Sequence, residues 1–474
     1  MRAMGNAKGR ARVLWLGVLA CALEASAPGQ NDFDWKRDTV ELTNGKKEHG
    51  VLIEAFGPEH FVLLHDGNNR DEIPRANVAR LDFLRERLER FMARRKPGAS
   101  ASEQWDLVDE ALAAGLAHMA RLQAYRVLTD DAGHAAAHEF LGHKKSGDDW
   151  RWRLDGKSFS AEKFREASLE WKSRLVLESE HFVVQTDCGL KRALDVLFDL
   201  EALYLWWMKY VGPEVRAAED VDDPPREKLT IYVHKSKDAP NFQALDSMRE
   251  PYYDPTGENT TEKGGINLAR TYFTPEGYRP EMLFELGTQG LIYSTLVLGK
   301  VKGAPTPDMK RLSFWAELGL AYWVGRHCGG EPGFAEIRAP FRQPFGVDSN
   351  TARRSLEPVS PGHDLRKTRN EVTNLIGLKW QNLVGIHADI LPTRARCATF
   401  LSFLLEENRE LVKRNKPVGN TRAGLWHYFR EVYGTPRAHS SDAFNEGMGA
   451  EVETLEQDWK DWTRKFTSVL PSAK

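Results

Sequence analysis

The sequence PEMLFELGTQGLIY at residues 280–293 and the sequence RLSFWAELGLAY at residues 311–322 decide how the rest of the chain is interpreted. Each is apolar around most of a helix, and each carries a glutamate within its apolar part, Glu285 and Glu317. A helix that is apolar all round belongs in a protein core. The plainest interpretation is two core helices whose glutamates face solvent or pair with arginine.

The two stretches together resemble the metal-binding helices of gluzincin zinc metallopeptidases. That family carries H-E-x-x-H on the first helix and a glutamate on the second, often as W-x-x-E-G-L-A-x-Y. Here the first motif falls on Phe284-Glu285-Leu286-Gly287-Thr288, and Glu317 follows Thr288 after 28 intervening residues. The resemblance implies that Glu285 occupies the general-base position, Glu317 the third-ligand position and Tyr322 the position of the motif tyrosine.

Two departures from the family pattern change what the site is expected to do. Phe284 and Thr288 replace both histidines, and Leu318 replaces the glycine that usually follows the second glutamate. A catalytic zinc site needs three protein ligands, and Phe284 has no lone pair. We therefore expect no metal and no other cofactor, with Glu285, Glu317 and Tyr322 as vestigial catalytic positions and no peptidase activity.

The N-terminus predicts secretion. A basic segment containing Arg2, Lys8, Arg10 and Arg12 precedes an apolar run at 13–22 and small residues at 25–27, which is typical of a signal peptide over residues 1–27. We expect a secreted or periplasmic protein, with a lipid anchor at Cys21 as the less favoured alternative. No later segment predicts a transmembrane span, and a formal net charge of -2 does not favour nucleic-acid binding.

Three cysteines follow the predicted signal peptide: Cys188, Cys328 and Cys397. None belongs to a C-x-x-C pair, so they are predicted to be small buried side chains. One pair could still form a disulfide in an oxidising compartment.

The order of patterns predicts an α+β protein. Residues 33–83 alternate short strands with turns such as Asn44-Gly45, which resembles a small SH3-like barrel. Residues 84–150 predict helices, including a tetratricopeptide-like hairpin, and the basic cluster 94–96 is expected to be a solvated helix end. Residues 172–330 resemble a zincin N-terminal subdomain, with residues 264–268 as its edge strand, and residues 331–474 a helical C-terminal subdomain.

A histidine-rich stretch at residues 134–143 partly resembles a zinc-binding signature. His134, His138 and His143 lie in a predicted helix with Glu139. The signature needs two histidines four residues apart with the glutamate directly after the first. Here Glu139 follows His138, and His143 comes five residues after His138. We expect surface histidines rather than a metal site.

Three functions remain open from the sequence. The first is a non-catalytic binding or scaffolding protein on a peptidase fold, with an extended peptide or an envelope protein as its partner. The second is an active hydrolase that uses Glu285 and Glu317 as paired carboxylates. The third is a structural envelope protein in which the barrel and the helical hairpin bind.

Overall fold

The structure is a computed structural model, and it describes residues 36–53, 59–65, 69–154, 156–215, 228–236, 238, 252–254, 268–272, 280–292, 314–340, 346–357, 371–377, 390–413, 416–434, 440–449 and 452–467. The predicted signal peptide and the loop between the two motif stretches lie outside these residues. The described chain has a mixed α+β fold.

Five short strands open the described chain and form one antiparallel sheet in the order β4-β3-β2-β1-β5. The predicted turn at Asn44-Gly45 is confirmed, and Gly45 has a φ of 83°, a conformation that glycine adopts without strain. The sheet encloses its own core of Val40, Leu52, Phe61, Leu63, Ile73 and Phe83. The strands are β1 (Asp38–Leu42), β2 (Lys47–Ile53), β3 (His60–Leu64), β4 (Arg70–Pro74) and β5 (Val78–Asp82).

A helical segment follows, and its predicted helix pair is confirmed. The second helix begins at a capping box, in which Ser100 and Glu103 satisfy each other's backbone N–H groups. Gly115, with a φ of 71°, makes the turn to the third helix. The elements are α1 (Leu84–Arg94), α2 (Ala101–Ala113), α3 (Ala117–Asp130), α4 (Ala135–Phe140), the three-stranded sheet of β6 (Lys144–Ser146), β7 (Asp149–Leu154) and β8 (Lys157–Phe159), and α5 (Ala161–Ala167).

The central sheet has the strand order β12-β13-β11-β10-β9. Its three inner strands are parallel, and the two outer strands are antiparallel to their neighbours. The expected edge strand at residues 264–268 is therefore corrected: Leu268 begins an inner strand, and residues 264–267 lie outside the described residues. The strands are β9 (Leu175–Glu178), β10 (Phe182–Thr186), β11 (Leu229–His234), β12 (Tyr252–Asp254) and β13 (Leu268–Tyr272).

Long helices cover one face of this sheet. The helix Leu190–Tyr210 lies against the sheet with its apolar stripe fully buried, and that stripe consists of Leu194, Leu197, Phe198, Leu200 and Leu203. The helices and the hairpin of this part of the molecule are α6 (Leu190–Tyr210), α7 (Gly212–Val215), α8 (Pro280–Ile292), α9 (Phe314–Arg326), and the hairpin of β14 (Cys328–Glu331) and β15 (Phe334–Ile337). We call α8 and α9 the motif helices.

The C-terminal part is mainly helical. Its elements are α10 (Ser349–Ser355), α11 (Glu371–Ile376), α12 (Ile390–Glu406), the hairpin of β16 (Glu410–Lys413) and β17 (Lys416–Asn420), α13 (Thr421–Gly434), α14 (Ser440–Met448) and α15 (Val452–Arg464). One continuous hydrophobic core runs from Leu84 to Trp462, separate from the core of the first sheet. No helix in the described part of the chain has the length and apolarity that crossing a membrane requires.

One side-chain expectation changes. The basic cluster 94–96 is not wholly solvated, because Arg95 is 8% exposed and its Nη1 donates to the Gly333 carbonyl at 2.9 Å. Its guanidinium lies 3.3 Å from the centre of the Phe198 ring. Cys188, Cys328 and Cys397 are free thiols.

Candidate functional site

Helix α8 places the first motif in the core by means of two glycines. A Cβ on Gly287 would lie 2.6 Å from Leu203 on α6, and a Cβ on Gly290 would lie 2.3 Å from Leu229 on β11. Real Cβ atoms do not approach so closely, so the glycines let the helix backbone reach both the sheet and α6. Pro280 suits the first position of the helix, where its missing N–H removes no hydrogen bond.

Helix α9 packs along α8 in the opposite direction. Gly325, near the C-terminal end of α9, lies against the first turns of α8. A Cβ there would be 2.9 Å from the Glu281 carbonyl and 3.2 Å from Cγ of Glu285.

The two positions that would carry histidines are filled by buried side chains. Phe284 and Thr288 are both 0% exposed. Thr288 Oγ1 has no hydrogen-bond partner. A buried hydroxyl without a partner destabilises a fold by about 1–3 kcal/mol.

The two glutamates have different surroundings. Glu285 is half-buried, and its side chain lies beside Gly325. Glu317 is half-buried among the apolar residues of α9, and burial raises its pKa to about 8. Its carboxyl group is therefore mostly protonated at neutral pH.

Tyr322 is engaged in a structural contact. Its hydroxyl donates to Oδ2 of Asp348 at 2.5 Å and lies 3.1 Å from Oγ1 of Thr351. Asp348 in turn caps α10 by accepting from the Thr351 N–H at 3.0 Å. Burial, and then the bond to Asp348, raise the pKa of Tyr322 above its ordinary value. The motif tyrosine thus ties α9 to α10.

The expectation of surface histidines in the histidine-rich stretch at residues 134–143 is wrong. His138 and His143 are 0% and 5% exposed, and their Nδ1 atoms lie 2.7 Å apart. His138 Nε2 bonds the Ala132 carbonyl at 2.9 Å, and Trp150 stacks on its ring at 4.6 Å. Burial lowers the pKa of both histidines. They form a neutral core pair, and His134 caps α4 through the Ala137 N–H.

The structure also contains a polar cluster that the sequence analysis missed. Glu201 on α6 is fully buried and accepts from both the backbone N–H and Nδ1 of His181 at 2.8 Å. Burial, and then the charge of Glu201, raise the pKa of the neighbouring Glu180 to about 7. No sequence motif marks this cluster, because its members come together only when the turn between β9 and β10 packs on α6.

Within the described residues, no three histidine, cysteine, aspartate or glutamate side chains are grouped so that they could hold a metal ion. His327, directly after α9, has its Nδ1 2.7 Å from the Trp323 carbonyl. Burial raises the pKa of the adjacent Cys328 thiol above its ordinary value. The geometry therefore does not favour a cysteine–histidine dyad.

Comparison with known proteins identifies no family for this chain. No model of a known protein family matches the sequence, and no curated protein matches it significantly. The fold is that of a mixed α+β protein whose two motif helices pack against each other, with α8 against a mixed five-stranded sheet.

Proposed function

We propose that this chain is an extracytoplasmic, non-catalytic protein with a gluzincin-like fold and a binding or scaffolding role. The observation that carries the proposal is the motif-helix pair, in which Phe284 and Thr288 are buried where the family has histidines. A phenyl ring and a neutral hydroxyl are not the ligands that Zn²⁺ takes. The five antiparallel strands of the first sheet support the SH3-like barrel of the same proposal.

The proposed ligand is an extended peptide that adds to the sheet at β12. This strand ends the strand order of the central sheet, and it is antiparallel to its neighbour. An edge strand carries backbone groups that can pair with another chain. We expect a peptic digest of casein, used as a source of extended peptides, to slow amide hydrogen exchange at residues 252–254. Unchanged exchange at saturating digest would contradict strand addition.

The arrangement of the motif helices can be tested by restoring the missing ligands. In the variant Phe284→His with Thr288→His, two imidazoles one helical turn apart would face Glu317. We expect zinc binding, measured by competition with a chromophoric chelator, and little or no peptidase activity. The two substitutions introduce no hydrogen-bond partners for the new imidazoles, and such partners commonly change metal affinity about 10–100-fold.

Two controls make this test specific. Glu317→Ala on the same background should weaken zinc binding, because it removes the third ligand. Ser102→His with Asp106→His on α2 gives a matched pair with the same spacing on an exposed helix face. Zinc affinity no higher than in this surface pair would show that the motif helices are not arranged like those of a gluzincin.

A second candidate function is hydrolysis by paired carboxylates. The observation that favours it is the pKa of Glu317, which burial raises to about 8, since a carboxylic acid that stays protonated near pH 7 can act as a general acid. Glu285 would then be the base. Hydrolysis of a casein-derived peptide by the unmodified protein, abolished by Glu317→Gln, would support this alternative and overturn the non-catalytic proposal.

A further inference from the structure

The second face of the central sheet carries a buried arginine that the proposed function does not use. Arg270 lies in the inner strand β13. Its neighbour Thr271 points to α8, where its Oγ1 donates to Met282 Sδ at 3.4 Å. Successive residues of a strand alternate between faces, so Arg270 points to the face away from the motif helices. Only 1% of its surface is exposed.

The two free donors of Arg270 lie on one edge of its guanidinium. Nε and Nη2 are both buried, and neither has a hydrogen-bond partner. These two nitrogens lie side by side, with parallel N–H bonds. The planar fork they form matches the two oxygens of a carboxylate.

Among the described residues, no acidic side chain accepts from Nε or Nη2 of this guanidinium, and the Tyr232 ring lies 4.6 Å from the guanidinium carbon. A buried charge without a counter-charge is strongly destabilising, since it has lost its hydration. A cation–π contact replaces only part of that hydration. We propose that the Nε–Nη2 fork of Arg270 is a binding site for a carboxylate monoanion, distinct from the motif helices and independent of the proposed peptidase-like function.

The surroundings of the fork favour a small anion with a single charge. Tyr232 lies beside Arg270 in register, and Trp171 packs edge-on against Tyr232 at 5.6 Å and stacks on His234 at 4.0 Å. Burial, and then the charges of Arg270 and Arg174, lower the pKa of His234 to about 3, so the imidazole is neutral.

Arg174 is another cation close to His234, and its Nε already donates to Oε1 of Gln185 at 2.8 Å. The two unpartnered donors therefore belong to Arg270, and their parallel N–H bonds match the two oxygens of one carboxylate. Because so little of Arg270 is exposed, acetate is a suitable probe of the site.

The proposal is tested by thermal unfolding of the mature protein at pH 7, in sodium acetate against sodium chloride of equal ionic strength. Acetate should raise the unfolding midpoint progressively with its concentration, as expected for a ligand of the folded state. Arg270→Met should lose this increase. Arg396→Met is the matched control: Arg396 is 4% exposed, but its Nε and Nη2 already donate to the Ser355 and Glu357 carbonyls, so the acetate effect should remain.

If Arg270→Met does not fold, a second variant and a second measurement still test the proposal. Arg270→Lys keeps the charge and lacks the fork, so it should lose the acetate effect while retaining a cation. In the unmodified protein, the Nε–H resonance of Arg270, identified by its absence from Arg270→Lys, should shift as acetate is added. An acetate effect that survives in the Arg270 variants, or no acetate effect in the unmodified protein, overturns the proposal. A larger increase with phosphate than with acetate overturns the carboxylate assignment.

Discussion

Glu317 lies in α9 between apolar neighbours, and burial raises its pKa from an ordinary 4.5 to about 8. Water stabilises an ionised carboxylate far better than an apolar interior does, so the folded protein holds the proton over a wider pH range. The folded state therefore binds more protons than the unfolded state between these two pKa values. The contribution of Glu317 to stability is fully present below pH 4.5 and is lost as pH rises towards 8.

We expect Glu317→Gln to remove this pH dependence, because an amide of nearly the same shape does not ionise. Relative to the variant, the unmodified protein should lose free energy of unfolding between pH 5 and pH 8, by at most about 1.4 kcal/mol per pH unit. Urea unfolding of both proteins at each pH measures the difference. Glu180 also titrates in this range but is common to both proteins, so its effect cancels. Parallel stability curves would show that Glu317 ionises normally.

At the scale of elements, glycines fix how closely the motif helices approach their neighbours. Gly319 on α9 faces α12, where a Cβ would lie 2.7 Å from the Cys397 carbonyl oxygen and 2.7 Å from Cβ of Leu401. A backbone carbonyl inside a helix cannot move aside as the end of a flexible side chain can. Replacing glycine by alanine stabilises most helices, but at Gly319 the new methyl group would clash with α12.

In the variant Gly319→Ala, a gain in helix propensity opposes a loss from overpacking the core. Alanine is favoured over glycine in a helix by about 1 kcal/mol, whereas overpacking a core destabilises it by about 1–3 kcal/mol. The difference is a net loss of about 0–2 kcal/mol in the free energy of unfolding, and we expect the upper end because a backbone carbonyl is one of the clashing groups; denaturant titration measures it. Gly329→Ala is the control, since its nearest atom would be 4.0 Å from the new Cβ and little change is expected. A more stable Gly319→Ala would mean that α9 and α12 are further apart than described.

At the scale of the whole molecule, Arg95 joins segments that are far apart in the chain. It follows α1, and its Nη1 donates to the carbonyl of Gly333 in the β14–β15 hairpin, 238 residues away. The guanidinium lies on Phe198 of α6, and burial lowers its pKa to about 9. The helical segment is thereby fixed to the region that carries the motif helices.

Arg95→Ala should destabilise the protein by about 2–4 kcal/mol, because a charged hydrogen bond, a cation–π contact and the packing of the side chain stem are all lost. Arg94→Ala is the matched control, since Arg94 makes an exposed ion pair with Glu110 at 2.9 Å, and such pairs contribute about 0–1 kcal/mol. Thermal unfolding of the two variants measures the contrast. Equal effects at both positions would contradict a tertiary role for Arg95.

The sequence was sufficient to predict the elements whose pattern is local. The turn at Gly45, the helix pair of α2 and α3, and the apolar motif helices each follow from side chains within a few residues of one another. Such spacing determines which face of an element is apolar, and that face must be buried. The candidate site could be located in the same way, because its motif lies within two helices.

Only the tertiary structure determined which polar side chains are buried and which hydrogen bonds they make. Arg95, His138 and Arg270 are types that usually face solvent, yet all three are buried. Tyr322 matches a family motif, yet its hydroxyl is held by Asp348. A polar side chain is buried when segments distant in sequence cover it and supply, or fail to supply, its hydrogen bonds. Local spacing contains no record of those segments, and for that reason the sequence located the motif helices but not the buried polar groups around them.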